Sequence, residues 1–157
     1  DFARGIGTHS SVRGVYNNHV VIEDNNIHDL SAEAVYLFNF TDVTVNRNYM
    51  GNVGKGVLIK SSGKALYNRR PYVKEKILQD NDYNIKITNN RIEANQLGGA
   101  TGTIVGIHAV GEEIRRIGGI EISQNQITSV GDLGIYLKYV INSMSYQNAV
   151  DRVIKIK

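Results

Sequence analysis

One eight-residue pattern recurs along this chain and constrains its fold more than any other feature. The pattern is apolar-x-apolar-x-x-Asn-x-apolar, and its clearest copy is Ile85-Lys86-Ile87-Thr88-Asn89-Asn90-Arg91-Ile92. Further copies occupy residues 20–27, 43–50 and 120–127, and a degenerate copy occupies residues 143–150. Recurrence of this kind indicates a stack of similar units, because one short unit cannot bury its own apolar face.

Each copy belongs to a longer repeating unit. The pattern asparagines are 23, 42, 35 and 23 residues apart, and the shorter spacing holds three short segments with strand-like alternation and no helical periodicity. The longer spacings contain surface insertions, which we place at about residues 61–84 and 109–118. We therefore interpret residues 1–157 as a single all-β domain. The first residues fall in the middle of a repeat, so we expect a fragment of a longer chain.

Composition narrows the classes of partner. Eighteen Lys and Arg residues against 15 Asp and Glu residues leave a net charge of only +3, without a basic stripe, so we expect no nucleic-acid binding. The chain has no cysteine, which excludes disulfides and thiolate chemistry. No apolar run approaches the roughly 20 residues of a membrane span, so we expect none.

Stacked units of three strands extend three parallel sheets by about 4.8 Å per unit. The five copies predict a right-handed, single-stranded parallel β-helix of about five coils, since left-handed β-helices repeat on shorter periods. The pattern resembles the β-helix of the pectin-lyase-like superfamily, which includes polysaccharide lyases and phage tailspikes.

This resemblance implies an internal ladder of stacked asparagine side chains at one bend of each coil. An inward-facing amide needs partners for all its donors and acceptors, and identical neighbours above and below can supply them. The alternative is that asparagine is simply frequent in turns. The predicted ladder consists of Asn25, Asn48, Asn90, Asn125 and Asn148.

The resemblance also implies that substrate lies along the first sheet, built here from residues 5–9, 34–38, 56–60, 104–108 and 134–138. Strand alternation then predicts which side chains point inward and which outward. One inward column is Ile6, Val35, Val57, Val105 and Ile135. One outward column is Gly7, Tyr36, Leu58, Gly106 and Tyr136. The outward column beside it is His9, Phe38, Lys60, His108 and Lys138.

These outward columns contain the predicted substrate-binding residues. Aromatic rings offer apolar faces to sugar rings, and His and Lys offer hydrogen-bond donors. We predict this role for His9, Tyr36, Phe38, Tyr136 and Lys138. The alternative is an ordinary solvated sheet face.

Catalytic groups are harder to place. Acids that precede the outer sheet are Asp29, Glu33, Glu93 and Asp132. Of these, Glu33 and Asp132 precede equivalent strands about 14 Å apart, beyond the separation of a glycosidase acid pair. A lyase instead needs a base and a cation, for which Lys60, Lys138, His9 and His108 are candidates. We therefore predict catalytic roles for Glu33, Asp132, His108 and Lys60. The motifs of polygalacturonases, pectate lyases and mannuronan epimerases are absent. We expect no cofactor, and no site for a divalent cation such as calcium is evident.

Two functions remain open. The first is a polysaccharide-binding and polysaccharide-degrading β-helix, a lyase or glycosidase, as in phage tailspikes. The second is a non-catalytic shaft or adhesin segment of a fibre or surface protein. The resemblance implies an extracellular or virion-associated protein and, for the tailspike type, a homotrimer.

Overall fold

Strands account for nearly all regular structure in this chain. The computed structural model describes residues 4–9, 18–61, 83–95, 104–113, 116–129, 131, 133–151 and 153–157, and these ranges contain no helix. The strands are β1 (Ile6–His9), β2 (Val20–Glu23), β3 (Asn26–Phe38), β4 (Val43–Asn46), β5 (Tyr49–Lys60), β6 (Ile85–Thr88), β7 (Arg91–Ala94), β8 (Val105–Val110), β9 (Ile117–Gly118), β10 (Ile120–Ser123), β11 (Gln126–Ser129), β12 (Leu133–Lys138), β13 (Val140–Ile141), β14 (Met144–Tyr146), β15 (Ala149–Val150) and β16 (Val153–Ile156).

All strand pairings among these residues are parallel. A five-stranded sheet has the order β14-β10-β6-β4-β2, and β9 pairs only with β13. The remaining nine strands share a second sheet, in which the long strands β3 and β5 each contribute to two strips. The rear strip is residues 26–30 of β3, residues 49–53 of β5, β7, β11 and β15. The front strip is β1, residues 33–38 of β3, residues 55–60 of β5, β8, β12 and β16.

Each repeat of the sequence passes through these layers in the same order. The chain runs along the five-stranded sheet, bends at the pattern asparagine, follows the rear strip and then the front strip, and returns to the five-stranded sheet. The predicted all-β class with parallel strands is therefore confirmed. The arrangement is compatible with a parallel β-helix.

Single residues with positive φ make the bends that separate the layers. Left-handed backbone is costly for most L-residues but is tolerated best by Gly, Asn and Asp, which explains the abundance of these residues at the bends. The residue before each strand of the five-stranded sheet has φ between 44° and 68°: His19, Asp42, Asn84, Gly119 and, one residue further out, Asn142. The residue before each pattern asparagine has φ between 52° and 57°: Asp24, Arg47, Asn89, Gln124 and Gln147.

Alternating side chains from all three layers fill one core. From the five-stranded sheet come Ile22, Val45, Ile87 and Ile122, all at most 4% exposed. The rear strip adds Ile27, Met50, Ile92 and Ile127, and the front strip adds Val35, Val57, Ile107 and Ile135. Each column comes from one position of the repeat, so the repeat itself builds the core.

The degenerate copy of the pattern forms a layer at the edge of the sheets. Strands β14, β15 and β16 each end their row of strands, and Ser145 occupies the inward position that Ile122 holds in the preceding repeat. Ser145 is exposed. A polar residue is tolerated there because no further layer packs against it among the described residues.

The structure corrects the predicted alignment of one front strand. Ile107, rather than Val105, pairs with Val57 and Ile135, so β8 is shifted by two residues from the predicted register. A shift of two preserves which side chains point outward but changes their neighbours. The predicted insertion at about residues 61–84 falls mostly on residues 62–82, which lie outside the described residues. Within the predicted insertion at about residues 109–118, β8 runs to Val110 and β9 begins at the buried Ile117.

Candidate functional site

The five pattern asparagines form a continuous series of hydrogen bonds inside the molecule. Asn48 donates from Nδ2 to Oδ1 of Asn90 at 3.0 Å, and its backbone N–H donates to the same oxygen at 3.0 Å. A further Nδ2 bond reaches the carbonyl of Ile22 at 2.9 Å. The same arrangement joins Asn25 to Asn48, Asn90 to Asn125 and Asn125 to Asn148. These residues fix the register of every repeat. Because their side chains lie inside the molecule, the groups that contact a ligand must lie on the outer faces.

Two rows of residues cross the front strip at the register positions that alternation predicts to face outward. The central row runs across the strands as Gly7, Tyr36, Leu58, His108 and Tyr136. Beside it, the flanking row is His9, Phe38, Lys60, Val110 and Lys138. Because adjacent strands are about 4.8 Å apart, each row is an elongated line of neighbouring groups.

His108 stands in the central row and not, as predicted, beside Lys60 in the flanking row. Its ring stacks on Tyr136, with centroids 4.9 Å apart and an interplanar angle of 20°. Burial, followed by the positive charges of Lys55 and Lys60, lowers the pKa of His108 to about 4. The imidazole is therefore neutral at physiological pH, and neither ring nitrogen has a hydrogen-bond partner.

Glu33 lies where the rear strip turns into the front strip, held between two cations. Its Oε2 accepts a 2.7 Å hydrogen bond from Arg4 Nε, and Lys55 Nζ lies 3.6 Å from Oε1. The Glu33 side chain is only 4% exposed and that of Lys55 11%. Arg4 also places its guanidinium 4.5 Å from the centre of the Tyr36 ring. Burial raises the pKa of the Tyr36 phenol, which keeps it neutral.

The charges around the central row are mainly positive. Among the described residues, the charges that act on the His108 ring are those of Lys55, Lys60 and Lys138 and, with opposite sign, that of Glu33. Lys60 is exposed and Lys138 is partly exposed, so both ammonium groups can reach a ligand on this surface.

The predicted substrate-binding residues are only partly brought together. Tyr36 and Tyr136 are half-buried in the central row, with Lys138 beside them. Phe38, predicted to face outward, is only 3% exposed, and a ring this enclosed offers no face to a sugar. His9 has its backbone in β1 beside Phe38, but its side chain lies outside the described residues.

The second predicted acid, Asp132, lies outside the described residues. The described residue Leu133 pairs with Val105, Val105 pairs with Lys55, and Lys55 pairs with Glu33. Leu133 is therefore three strand spacings, about 14 Å, from Glu33.

The other two acids of the sequence analysis lie on the rear strip. Glu93 accepts a 3.0 Å hydrogen bond from the Tyr49 hydroxyl and pairs with Arg91 at 2.8 Å. Asp29 pairs with His28 at 2.7 Å and accepts a hydrogen bond from Asn52 at 2.7 Å. Both carboxylates make their contacts on the rear strip, which is a different surface from that of the central row.

Sequence reasoning missed Arg4 and Lys55, although a signal for them exists. In five front strands a small residue stands directly before the inward residue of the column Ile6, Val35, Val57, Ile107 and Ile135, and these small residues are Gly5, Ala34, Gly56, Gly106 and Gly134. A charged residue stands directly before the first three, and these charged residues are Arg4, Glu33 and Lys55. Aligning the strands on the small residues would also have given the correct register of β8.

No known protein family, curated protein or solved structure matches this chain. Within the described ranges, no three His, Asp or Glu side chains converge on a position that could hold a metal ion. The same ranges contain no helix of the length and hydropathy that crossing a membrane requires.

Proposed function

We propose that this chain is a right-handed, single-stranded parallel β-helix of the pectin-lyase-like type that binds an extended, negatively charged polysaccharide along its front strip. The observation that carries the proposal is the central row, in which Tyr36, Leu58, His108 and Tyr136 occupy consecutive strands. Its groups repeat at the strand spacing, and such a line suits a chain of sugar units better than a compact metabolite.

The chemistry of the row supports a sugar ligand. Tyr36 and Tyr136 supply aromatic surface together with a hydroxyl, and half-buried aromatic side chains lose little conformational freedom when a ligand binds. Leu58, only 9% exposed, fills the floor between them. The ligand class follows from the charges, since Lys60 and Lys138 border the row and Lys55 lies close to His108.

Cleavage of the bound polysaccharide, by a lyase or hydrolase, is the second part of the proposal. His108 is the proposed base, a weak one because its pKa is lowered to about 4, and Lys60 is proposed to neutralise an acidic group of the substrate. Glu33 and Asp132 are the proposed acids. The proposal requires no cofactor. It places the protein outside the cell or on a virion, assembled as a homotrimer.

The alternative is a non-catalytic shaft or adhesin segment. The contacts of Glu33 favour it over an enzyme, because Arg4 contacts one carboxylate oxygen and Lys55 the other. Both oxygens are therefore engaged within the protein and are not directed at a substrate.

Calorimetric titration with defined polymers tests the binding proposal. We expect polygalacturonate, alginate or hyaluronan to bind, neutral dextran to bind more weakly, and added salt to weaken binding of the acidic polymers. Equal binding of neutral and acidic polymers, or binding of none, would contradict the proposal. Release of unsaturated or reducing ends in the same samples separates an enzyme from a shaft.

A further inference from the structure

The His108 imidazole has an unusual environment for a polar ring. Both Nδ1 and Nε2 are shielded from solvent, and neither has a hydrogen-bond partner. Buried polar atoms without partners are uncommon in native proteins, and each one calls for a specific explanation. His108 is also at the middle of the central row, where Leu58 and Tyr136 are its neighbours on the adjacent strands.

The orientation of the ring is set by packing and not by hydrogen bonds. Stacking on Tyr136, with centroids 4.9 Å apart, fixes the plane of the imidazole. A hydrogen-bonding group that is oriented in advance loses little freedom when its partner arrives.

Burial is the first cause of the lowered pKa of the ring, and the neighbouring charges add to it. Among the described residues, Lys55, Lys60 and Lys138 also oppose protonation, and Glu33 favours it. A neutral imidazole has one N–H donor and one lone-pair acceptor. A hydroxyl can satisfy either atom, whereas a carboxylate can only accept.

We infer that His108 is a specificity-determining residue that forms a hydrogen bond with a hydroxyl group of the bound sugar, while the neighbouring lysines bind the acidic substituents of that sugar. The inference rests on the proposed function, since it requires a saccharide on the front strip. Both ring nitrogens are shielded in the free protein, so the inference requires that the side chains covering them move when the polymer binds.

Substitution of His108 by phenylalanine separates this role from a structural one. The variant His108→Phe keeps an aromatic ring against Tyr136 and removes both unpartnered nitrogens. We expect affinity for the acidic polymer that the wild type binds to fall at least tenfold, while the melting temperature stays equal or rises. His108→Gln restores a donor and an acceptor and should recover part of the affinity. His28→Phe, an exposed histidine on the rear strip, is the matched control and should bind normally.

The outcomes distinguish the two proposals. Failure of the wild type to bind any acidic polymer overturns the proposed function and this inference together. Normal binding by His108→Phe overturns only the inference. A drop in both melting temperature and affinity that His108→Gln does not relieve assigns a structural role and also overturns it. If His108→Phe does not fold, nitrogen chemical shifts of the wild-type ring decide the matter: polymer should shift the His108 nitrogens, and unchanged shifts contradict the inference.

Discussion

Asn48 and Asn90 are 42 residues apart in sequence, yet the amide of Asn48 donates a 3.0 Å hydrogen bond to Oδ1 of Asn90. The same oxygen accepts the backbone N–H of Asn48, also at 3.0 Å. One atom of Asn90 therefore satisfies two donors of the preceding repeat. This relationship holds the repeats in register even where a long insertion separates them.

Substitution in the middle of the ladder should destabilise the protein more than substitution at its start. Asn90→Ala leaves the two donors of Asn48 without their acceptor, and we expect a loss of about 3 kcal/mol or more in the free energy of unfolding. Among the described residues, no donor uses the side-chain oxygen of Asn25 as its acceptor, so Asn25→Ala leaves no donor unpaired. We expect this variant to lose about 1 kcal/mol of the free energy of unfolding. Urea denaturation of the two variants measures this difference. Equal losses would show that the ladder does not act through these donors.

A glycine that stands directly before the inward residue of a front strand should not tolerate an added methyl group. A Cβ at Gly106 would meet Ile127 Cγ2 and would lie 2.8 Å from the carbonyl oxygen of Gly134. We expect Gly106→Ala to destabilise the protein by about 1–3 kcal/mol through overpacking. Gly7→Ala is the control, because its Cβ would meet only Arg4 Cδ at 3.6 Å, and its effect should be within about 0.5 kcal/mol. Thermal melts that rank the two variants in the opposite order would contradict the register of the front strip.

His108 should make stability depend on pH in the weakly acidic range. Its folded-state pKa of about 4 lies below the ordinary value of 6.5, so between these values the unfolded chain binds more protons than the folded protein. The free energy of unfolding therefore increases as pH rises through this window, and the contribution is lost as pH falls toward 4. One group changes the free energy by at most about 1.4 kcal/mol per pH unit.

The measurement compares wild type with His108→Phe by urea denaturation between pH 4.5 and 6.5. We expect the pH dependence to be smaller in the variant. The lowered pKa values of Asp24, Asp29 and Glu121, each due first to a side-chain hydrogen bond, act on stability below this window. Identical pH dependence in both proteins would show that His108 is not held neutral.

The ladder could be predicted from sequence because it depends on a local pattern. In each repeat the asparagine stands at a fixed distance from apolar residues, and period-two alternation then assigns every neighbouring side chain to the core or the surface. That reasoning does not depend on loop conformation, and it correctly assigned Val35, Val57 and Ile135 to the core, whereas Phe38, predicted to face outward, is only 3% exposed.

The candidate site could be predicted only in part, because it depends on pairing between strands that are far apart in sequence. The residues before β8 hold several glycines, and alternation alone cannot distinguish registers that differ by two residues. His108 was therefore expected beside Lys60, whereas it stacks on Tyr136. The contacts of Glu33 with Arg4 and Lys55 arise at the corner between the strips, where the simple alternation ends.

Reversal of one charge on the front strip tests the proposed binding face most directly. Lys60→Glu changes an exposed lysine beside the central row, and Lys86→Glu changes an exposed lysine on the five-stranded sheet by the same charge. Calorimetric titration with the acidic polymer that the wild type binds should show at least tenfold weaker binding for Lys60→Glu and wild-type affinity for Lys86→Glu. Equal affinities for the two variants would contradict a binding face on the front strip.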